Sequence, residues 1–226
     1  MAEVGIVCGM VSEMRTLGAW ATDPRVTVGV SGARPDQTEE IAQRMVSEAG
    51  VRLLVSWGLA GGLAPEAKTG VLCVPGRVLG PRGQEFQLAA QVLGQEGSAV
   101  LAGSDEVVCT TGAKRDLLAR TGAMMVDMET HRVAKVADAR RVPCLAVRAV
   151  SDASDTALPE LATDALGADG KVRLGRVLLG LARRPWQLGS LLLAGRDSKA
   201  AHATLSANAD QIFEALFNGG SFRSDL

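Results

Sequence analysis

The chain has 226 residues, 47% of them hydrophobic, and a formal net charge of −1. This length suits one domain and is too short for two of ordinary size, and the apolar content excludes a disordered chain. The near-neutral charge and the aromatic content of 3%, with no tyrosine, argue against nucleic-acid binding through a basic surface or stacked rings.

Short apolar runs alternate with amphipathic patterns along the chain. The predicted strands are residues 4–8, 26–30, 53–57, 71–74, 124–126 and 144–150. The predicted helices are residues 35–49, 113–120 and 130–140. Several of the strands are apolar throughout, which is typical of strands that are covered on both faces. The pattern predicts a single α/β domain over residues 1–226, with a parallel or mixed sheet flanked by helices.

The four cysteines, Cys8, Cys73, Cys109 and Cys144, lie in or beside apolar runs, and no two of them form a CxxC pair. This spacing argues against a zinc site and predicts reduced, buried thiols, as in cytoplasmic proteins. The N-terminus lacks a basic leader followed by a long apolar stretch, and no run approaches the roughly 20 apolar residues of a membrane span. We therefore expect a cytoplasmic protein with no bound metal or cofactor.

Ligands of such sheets bind at the carboxyl ends of the strands, and four unusual segments lie at those places. Residues 9–13 read GMVSE and put Glu13 in the first turn of a helix, where an acid also stabilises the helix dipole. Residues 58–65 read GLAGGLAP, and their glycines permit a positive φ or the close approach of a ligand. Their spacing fits neither a dinucleotide fingerprint nor a Walker loop, so a plain strand-end turn is the alternative.

The other two segments end in carboxylates. Residues 126–129 read VDME, and Glu129 is either the cap of the next helix or a ligand for the two hydroxyls of a diol. Residues 148–152 read RAVSD. Here Ser151 and Asp152 are either a helix-capping pair or the site of an acid that stays protonated in a dry cleft and donates its proton.

Taken in this order, GMVSE, GLAGGLAP, VDMET and RAVSD resemble the motifs of the nucleoside phosphorylase and nucleosidase superfamily, most closely the methylthioadenosine/S-adenosylhomocysteine nucleosidases. The resemblance spans residues 4–155 and implies a nucleoside phosphorylase-like fold. It implies an enzyme that cleaves the N-ribosidic bond of a purine nucleoside, with adenine as the base. Asp152 then protonates the leaving base, Glu13 orients the attacking water, and Glu129 and Met128 contact the ribose. The other expected substrate contacts are Met10, Gly61, Val107, Val108 and Ser151. We further expect a homodimer.

Two departures from the family pattern bear on the reaction. Leu59 stands where the phosphorylases have a serine that helps to bind phosphate, and Glu13 stands near the position of their arginine. These residues favour hydrolysis. The alternative is phosphorolysis with phosphate as co-substrate, in which Arg15, Arg34 or Arg77 rebuilds an anion site. In the base-binding stretch, Val107 takes the place of an aromatic residue.

The C-terminal part, residues 171–226, is predicted to be a helical extension. Residues 171–199 carry seven basic residues against one acidic residue, interleaved with leucines and Trp186. This composition is typical of a helix at a membrane surface, and the alternative is a solvated helix that packs on the core or on a second subunit. With the substituted loops, the tail resembles the hopanoid-associated phosphorylase subgroup. That resemblance implies an adenosylated hopanoid lipid as substrate and peripheral contact with a membrane.

Two other classes of protein compete with this interpretation. A non-catalytic nucleoside- or lipid-binding module would not need the acid, so the presence of Glu13, Glu129 and Asp152 together argues against it. An α/β oxidoreductase is disfavoured because the glycine spacing is wrong and no ribose-binding acid appears in the usual context about 20 residues beyond the glycines.

Overall fold

The computed structural model describes residues 2–32, 34–159 and 188–218. Its strands are β1 Val4–Cys8, β2 Val26–Val30, β3 Leu53–Gly62, β4 Leu72–Cys73, β5 Arg77–Leu79, β6 Glu85–Gln87, β7 Val100–Gly103, β8 Met125–Asp127 and β9 Cys144–Asp152. Its helices are α1 Val11–Arg15, α2 Pro35–Ser47, α3 Thr111–Thr121, α4 Thr130–Arg140 and α5 Leu188–Asn218, with 3₁₀ turns at Gly18–Thr22 and Ala90–Leu93. These strands form one mixed sheet, and the predicted α/β class is confirmed.

Strand β3 is the centre of the sheet. It pairs in parallel with β1 over residues 53–56 and with β9 over residues 54–61. Its last two residues, Gly61 and Gly62, pair antiparallel with Val126 and Met125 of β8, which joins β7, β5 and β6 to the sheet. The end of β8 therefore meets the carboxyl-terminal half of β3, and the segments that follow β1, β8 and β9 lie close together.

The glycine-rich segment 58–62 is strand and not the turn that its composition predicts. It belongs to β3, and none of Gly58, Gly61 and Gly62 has a positive φ. The strand continues because β9 pairs with it through Gly61. Glycine is needed here because neighbouring side chains lie against the backbone. A Cβ at Gly58 would lie 3.0 Å from Nη1 of Arg148, and one at Gly61 would lie 3.3 Å from Oδ2 of Asp152.

Strand β9 also runs further than its apolar pattern predicts. It ends at Asp152 instead of Val150, so Ser151 and Asp152 belong to the sheet and do not cap a helix. Three strands, β5, β6 and β7, are absent from the prediction. Each has three or four residues, which is too short for a strand periodicity to be recognised in the sequence. In β6, the one apolar side chain lies between two exposed polar ones.

The last helix, α5, is in part a core element. Its buried residues are Ala201, Leu205, Ala209, Ile212, Phe213 and Leu216. The ring of Phe213 stacks on Trp20 with centroids 5.4 Å apart and lies 5.5 Å from that of Trp57 on β3. Burial of this face attaches the helix to the sheet, so residues 201–216 of the predicted extension pack on the core.

The first turns of α5 differ, because Leu192 is 66% and Leu193 48% exposed. Residues 171–187, which carry most of the predicted basic segment and Trp186, lie outside the described residues. None of the described helices combines the length and the apolar character that crossing a bilayer requires.

Candidate active site

Glu13 is held from two sides at the end of β1. Its side chain is buried, and its two oxygens accept hydrogen bonds from the backbone N–H of Met10 at 2.7 Å and of Leu59 at 2.8 Å. The first bond is a helix-start contact, whereas the second reaches across to β3. Burial raises the pKa of Glu13, although the nearby Arg148 and the two N–H donors oppose that shift. The carboxyl group therefore has a fixed orientation, and its pKa is moved in the direction that suits a general base.

Arg148 lies on β9 beside this carboxyl group and is also buried. Its Nε donates to Oδ2 of Asp127 at 2.7 Å, and its Nη2 donates to Oγ of Ser56 at 2.6 Å and to Oγ1 of Thr130 at 2.9 Å. Burial opposes the positive charge, but the carboxylates of Asp127, Glu129 and Glu13 outweigh it and raise the pKa of Arg148. The guanidinium is thus a fixed positive charge beneath the site.

Glu129 completes this cluster at the start of α4. It makes no side-chain cap to the helix, since Asp127 accepts the N–H of Thr130 instead. A Cβ at Gly9 would lie 2.7 Å from Oε1 of Glu129 and 3.2 Å from Oε2 of Glu13, so the two carboxyl groups converge on one glycine. Burial, followed by the charges of Asp127 and Glu13, raises the pKa of Glu129 to about 8. One guanidinium cannot balance three carboxylates, and the cluster therefore keeps a proton near neutral pH.

This shift predicts a pH-dependent stability. The pKa of Glu129 rises from 4.5 to about 8 on folding, so the folded chain keeps a proton that the unfolded chain releases, and stability is lost as pH rises through that window. Glu129→Gln mimics the protonated form. Relative to this variant, wild type should lose up to about 1.4 kcal/mol of unfolding free energy per pH unit between pH 5 and 8.

Urea unfolding at four pH values measures this difference, and Glu48→Gln on the surface of the chain is the matched control. Wild-type and Glu129→Gln curves that stay parallel from pH 5 to 8 would show that the folded chain holds no extra proton at this residue.

Asp152 forms a second cluster, further along β3. Its Oδ2 lies 2.5 Å from the ammonium of Lys114 on α3, and its Oδ1 accepts the hydroxyl of Ser151 at 2.6 Å. Both Asp152 and Lys114 are buried. The same ammonium donates to the carbonyl oxygens of Ala153 at 2.7 Å and Thr156 at 2.8 Å. Asp152 is therefore the acceptor in an ion pair, and not the unpaired carboxyl group that the strand-end pattern suggests.

The two clusters lie along one strand. The first adjoins Gly58 and the second adjoins Gly61, three residues further on, which corresponds to about 10 Å of strand. A ligand that contacts both must therefore be elongated, with one end beside Glu13 and Glu129 and the other beside Asp152. This arrangement suits a base joined to a sugar.

Residues 96–181 match the family model of the phosphorylase superfamily. A search of curated proteins found no match. Among solved structures, the chain is similar to the 5′-methylthioadenosine/S-adenosylhomocysteine nucleosidase of Neisseria meningitidis in complex with methylthio-immucillin-A, at 15% identity and a TM-score of 0.71, over 96% of this chain and 100% of that one. It is also similar to the Helicobacter pylori nucleosidase of the same name, at 17% identity and a TM-score of 0.64, over 93% and 99%. A third similar structure is futalosine hydrolase of Helicobacter pylori, at 16% identity and a TM-score of 0.64, over 93% of this chain and 98% of that one.

The chain has the nucleoside phosphorylase/nucleosidase fold. The fold that the motif resemblance implies is thereby confirmed, and the structural similarity extends over nearly the whole length of the nucleosidases compared. The match to the phosphorylase-superfamily model agrees with that resemblance. In this fold the structure brings together Glu13, Glu129 and Met10 in one cluster and Asp152, Ser151 and Gly61 in the other.

The predicted base-binding residues lie in the loop between β7 and α3. Val107 is 42% exposed, whereas Val108 is partly buried and packs on a small cluster that includes Leu63 and Val126. Val126 also lies beside Gly61, which places Val108 near the second cluster. Met128 is partly buried between Asp127 and Glu129.

Two of the arginines suggested for an anion site are occupied elsewhere. Arg34 pairs with Asp36 at 2.8 Å and Arg77 pairs with Glu85 at 3.3 Å, and all four side chains are well exposed. Arg15 is exposed on the short helix α1.

Two charged site residues, Arg148 and Lys114, carry no role in the sequence-based prediction. Arg148 could have been found, because an arginine inside an apolar strand must have buried partners. Lys114 could not, since α3 carries exposed Arg115 and Arg120 and has a weak amphipathic pattern, so nothing in the sequence separates the buried cation from the solvated ones.

Two of the four cysteines are less buried than predicted. Cys8 and Cys144 are buried, but Cys73 and Cys109 are only partly so, and no disulfide links any two of the four. Burial raises the pKa of Cys73 to about 11 and that of Cys144 to about 12, so these thiols stay protonated near neutral pH.

Proposed function

We propose that this chain is an enzyme that cleaves the N-ribosidic bond of a purine nucleoside, with adenine as the expected base. The observation that carries the proposal is that Glu13 lies against Gly9 together with Glu129, and against Gly58 of β3 together with Arg148. Gly61, three residues further along β3, adjoins Asp152 of the Lys114–Asp152 pair. Breaking a ribosidic bond leaves positive charge on the sugar and negative charge on the base. A site with carboxyl groups at one end and a proton source at the other serves both needs.

At the sugar end, Glu129 contacts the ribose hydroxyls. With a pKa of about 8, its carboxyl group both donates and accepts hydrogen bonds near neutral pH. Its remaining negative charge, and that of Glu13, favour the oxocarbenium-like sugar of the transition state. Glu13 is already fixed by Met10 and Leu59 and accepts a proton from the attacking water.

At the base end, Asp152 faces the purine and Ser151 orients it. The base needs a proton as the bond to the sugar breaks, and Asp152 delivers it. Val107 and Val108 line the base without an aromatic ring. They supply apolar contact but no stacking, so recognition of the base depends on its polar edge.

Hydrolysis is the reaction that we propose. The backbone N–H of Leu59 is already taken by Glu13, so the glycine-rich strand does not offer this donor to phosphate. Three carboxyl groups around one arginine also repel an anion. Phosphorolysis is the alternative and would need an arginine from outside this cluster.

We further propose a lipid-linked nucleoside as the substrate, such as an adenosylated hopanoid, and peripheral contact with a membrane. Support comes from the basic, leucine-rich composition of residues 171–199 and from the exposed Leu192 and Leu193 at the start of α5. A basic helix with exposed leucines binds an anionic bilayer through charge and through apolar insertion. A substrate that is held in that bilayer is reached most easily by an enzyme docked on it.

One assay tests these proposals together. The purified chain is incubated with methylthioadenosine, or with adenosylated hopanoid in anionic vesicles, each with and without phosphate, and the products are separated by chromatography. We expect free adenine and a free sugar in both phosphate conditions, and faster release from the vesicle substrate. Strict dependence on phosphate with a sugar 1-phosphate product would establish phosphorolysis. Equal rates on both substrates would remove the lipid proposal and leave the nucleosidase proposal standing.

A non-catalytic binding module is the second candidate, and the Lys114–Asp152 ion pair is the observation that favours it, because an ionised carboxylate binds a donor but has no proton to give. The same assay separates the two candidates. Binding of methylthioadenosine by calorimetry, with no adenine released over a long incubation, would favour the binding module.

A further inference from the structure

Lys114 is a fully buried lysine with complete hydrogen bonding. It lies on α3 and is the one buried residue of Thr111–Thr121. Its three ammonium protons go to Oδ2 of Asp152 and to the carbonyl oxygens of Ala153 and Thr156. Lysine is almost never buried without a partner, and here its one charged partner is the residue proposed to protonate the base.

This pairing leaves the proposed acid without a proton of its own. The ammonium holds Oδ2, and the hydroxyl of Ser151 donates to Oδ1. Both oxygens of Asp152 are therefore acceptors, and their donors are the ammonium of Lys114 and the hydroxyl of Ser151. Of these two donors, only the ammonium is positively charged and becomes neutral when it gives up a proton.

We infer that Lys114 is a positioning residue that acts through Asp152, holding its carboxylate and supplying the proton for the departing base. The inference rests on the proposed function. As the sugar–base bond breaks, its electron pair goes to the purine. A ring nitrogen takes a proton from Asp152, and Asp152 takes one from the ammonium of Lys114. Lys114 is left as a neutral amine and regains a proton from water when the base leaves.

The surroundings make this transfer feasible. Both side chains are buried, and a bound purine covers them further, so water no longer stabilises the separated charges. The growing negative charge on the base draws the proton towards it. Among the described residues, the charged groups next to this pair along the chain are Asp155 in the following loop and Arg115 and Asp116 on α3. All three are exposed, so solvent screens them.

A purely structural role is the competing explanation, since Lys114 also ties the loop of residues 153–156 to α3. Two substrates distinguish these roles. Methylthioadenosine has a leaving base that needs a proton, whereas 4-nitrophenyl riboside releases a stable phenolate that does not. Lys114→Met keeps the length of the side chain and removes its proton.

We expect Lys114→Met to slow release of adenine by about 10²–10⁴-fold and to leave cleavage of the nitrophenyl riboside nearly unchanged. Lys114→Arg should not restore the rate, since a guanidinium holds its proton too tightly to release it.

Three results would overturn the inference. They are an equal loss on both substrates, a wild-type rate of adenine release in Lys114→Met, and full rescue by Lys114→Arg. If Lys114→Met does not fold, Lys114→Gln takes its place, because its amide still donates to Asp152 but has no acidic proton to supply. Wild type that releases no adenine at all would instead overturn the proposed function, and this inference with it.

Discussion

Replacing Asp152 with asparagine should slow release of the purine by about 10²–10⁴-fold, the usual loss when a general acid is removed. The amide keeps the shape of the side chain and one acceptor oxygen for Lys114, but it cannot carry a proton to the base. The measurement is the rate of adenine release from methylthioadenosine at saturating substrate. Turnover by Asp152→Asn within a few fold of wild type would remove Asp152 from the mechanism.

The ion pair adds a stability cost to this substitution. Breaking a buried pair costs about 3–5 kcal/mol when the remaining charge has no other partner, and less here because Lys114 keeps two carbonyl acceptors and the amide oxygen. Urea unfolding therefore accompanies the rate measurement, to show that the variant is folded in the assay. Asp155→Asn is the matched control, because this aspartate is exposed in the loop that follows β9 and its substitution should change neither quantity.

The fold was predictable because its signals are local and repeated. Apolar runs marked the strands of the sheet centre, and the proline and glycine that flank α2 marked its ends to within two residues. The predicted α4 matches the observed Thr130–Arg140. The short strands β5–β7 were missed because three or four residues carry no periodic pattern. Strand β6 joins the sheet through a hairpin with β5, whereas β5 and β7 join it by pairing with strands that are more distant in sequence.

The sequence predicts which carboxyl groups lie in the candidate site, but it does not predict which cations pair with them. The order of the motifs identifies Glu13, Glu129 and Asp152 as site residues. The structure places them in two neighbouring clusters, Glu13 with Glu129 in the first and Asp152 in the second. The sequence could not show that Arg148 lies under Glu13 or that Lys114 reaches Asp152, because each contact joins segments that are far apart in the chain. Those two cations decide whether the carboxyl groups hold protons. The chemistry of the site therefore depends on tertiary contacts more than on its motifs.

Arg148→Met should cause the largest loss of stability, about 3–5 kcal/mol, as expected when one partner of a buried ion pair is removed. Among the described residues, the substitution leaves the buried carboxylate of Asp127 with the N–H and hydroxyl of Thr130 as donors. It also removes one of the two donors to Oγ of Ser56. Urea unfolding at pH 7 measures the effect. Arg140→Met, an exposed substitution near the end of α4, is the matched control and should cost little.

A double variant separates the lost ion pair from lost packing. If the loss of stability comes from the unpaired carboxylate of Asp127, then Asp127→Asn in the Arg148→Met background should recover part of it. Burying a neutral amide costs less free energy than burying a lone charge. The coupling energy between the two positions should then exceed about 1 kcal/mol, as for residues in one buried network. Additive losses, or a single-variant cost below about 1 kcal/mol, would show that Arg148 contributes packing alone. The three carboxyl groups of the first cluster would then be balanced by bound protons and not by the guanidinium.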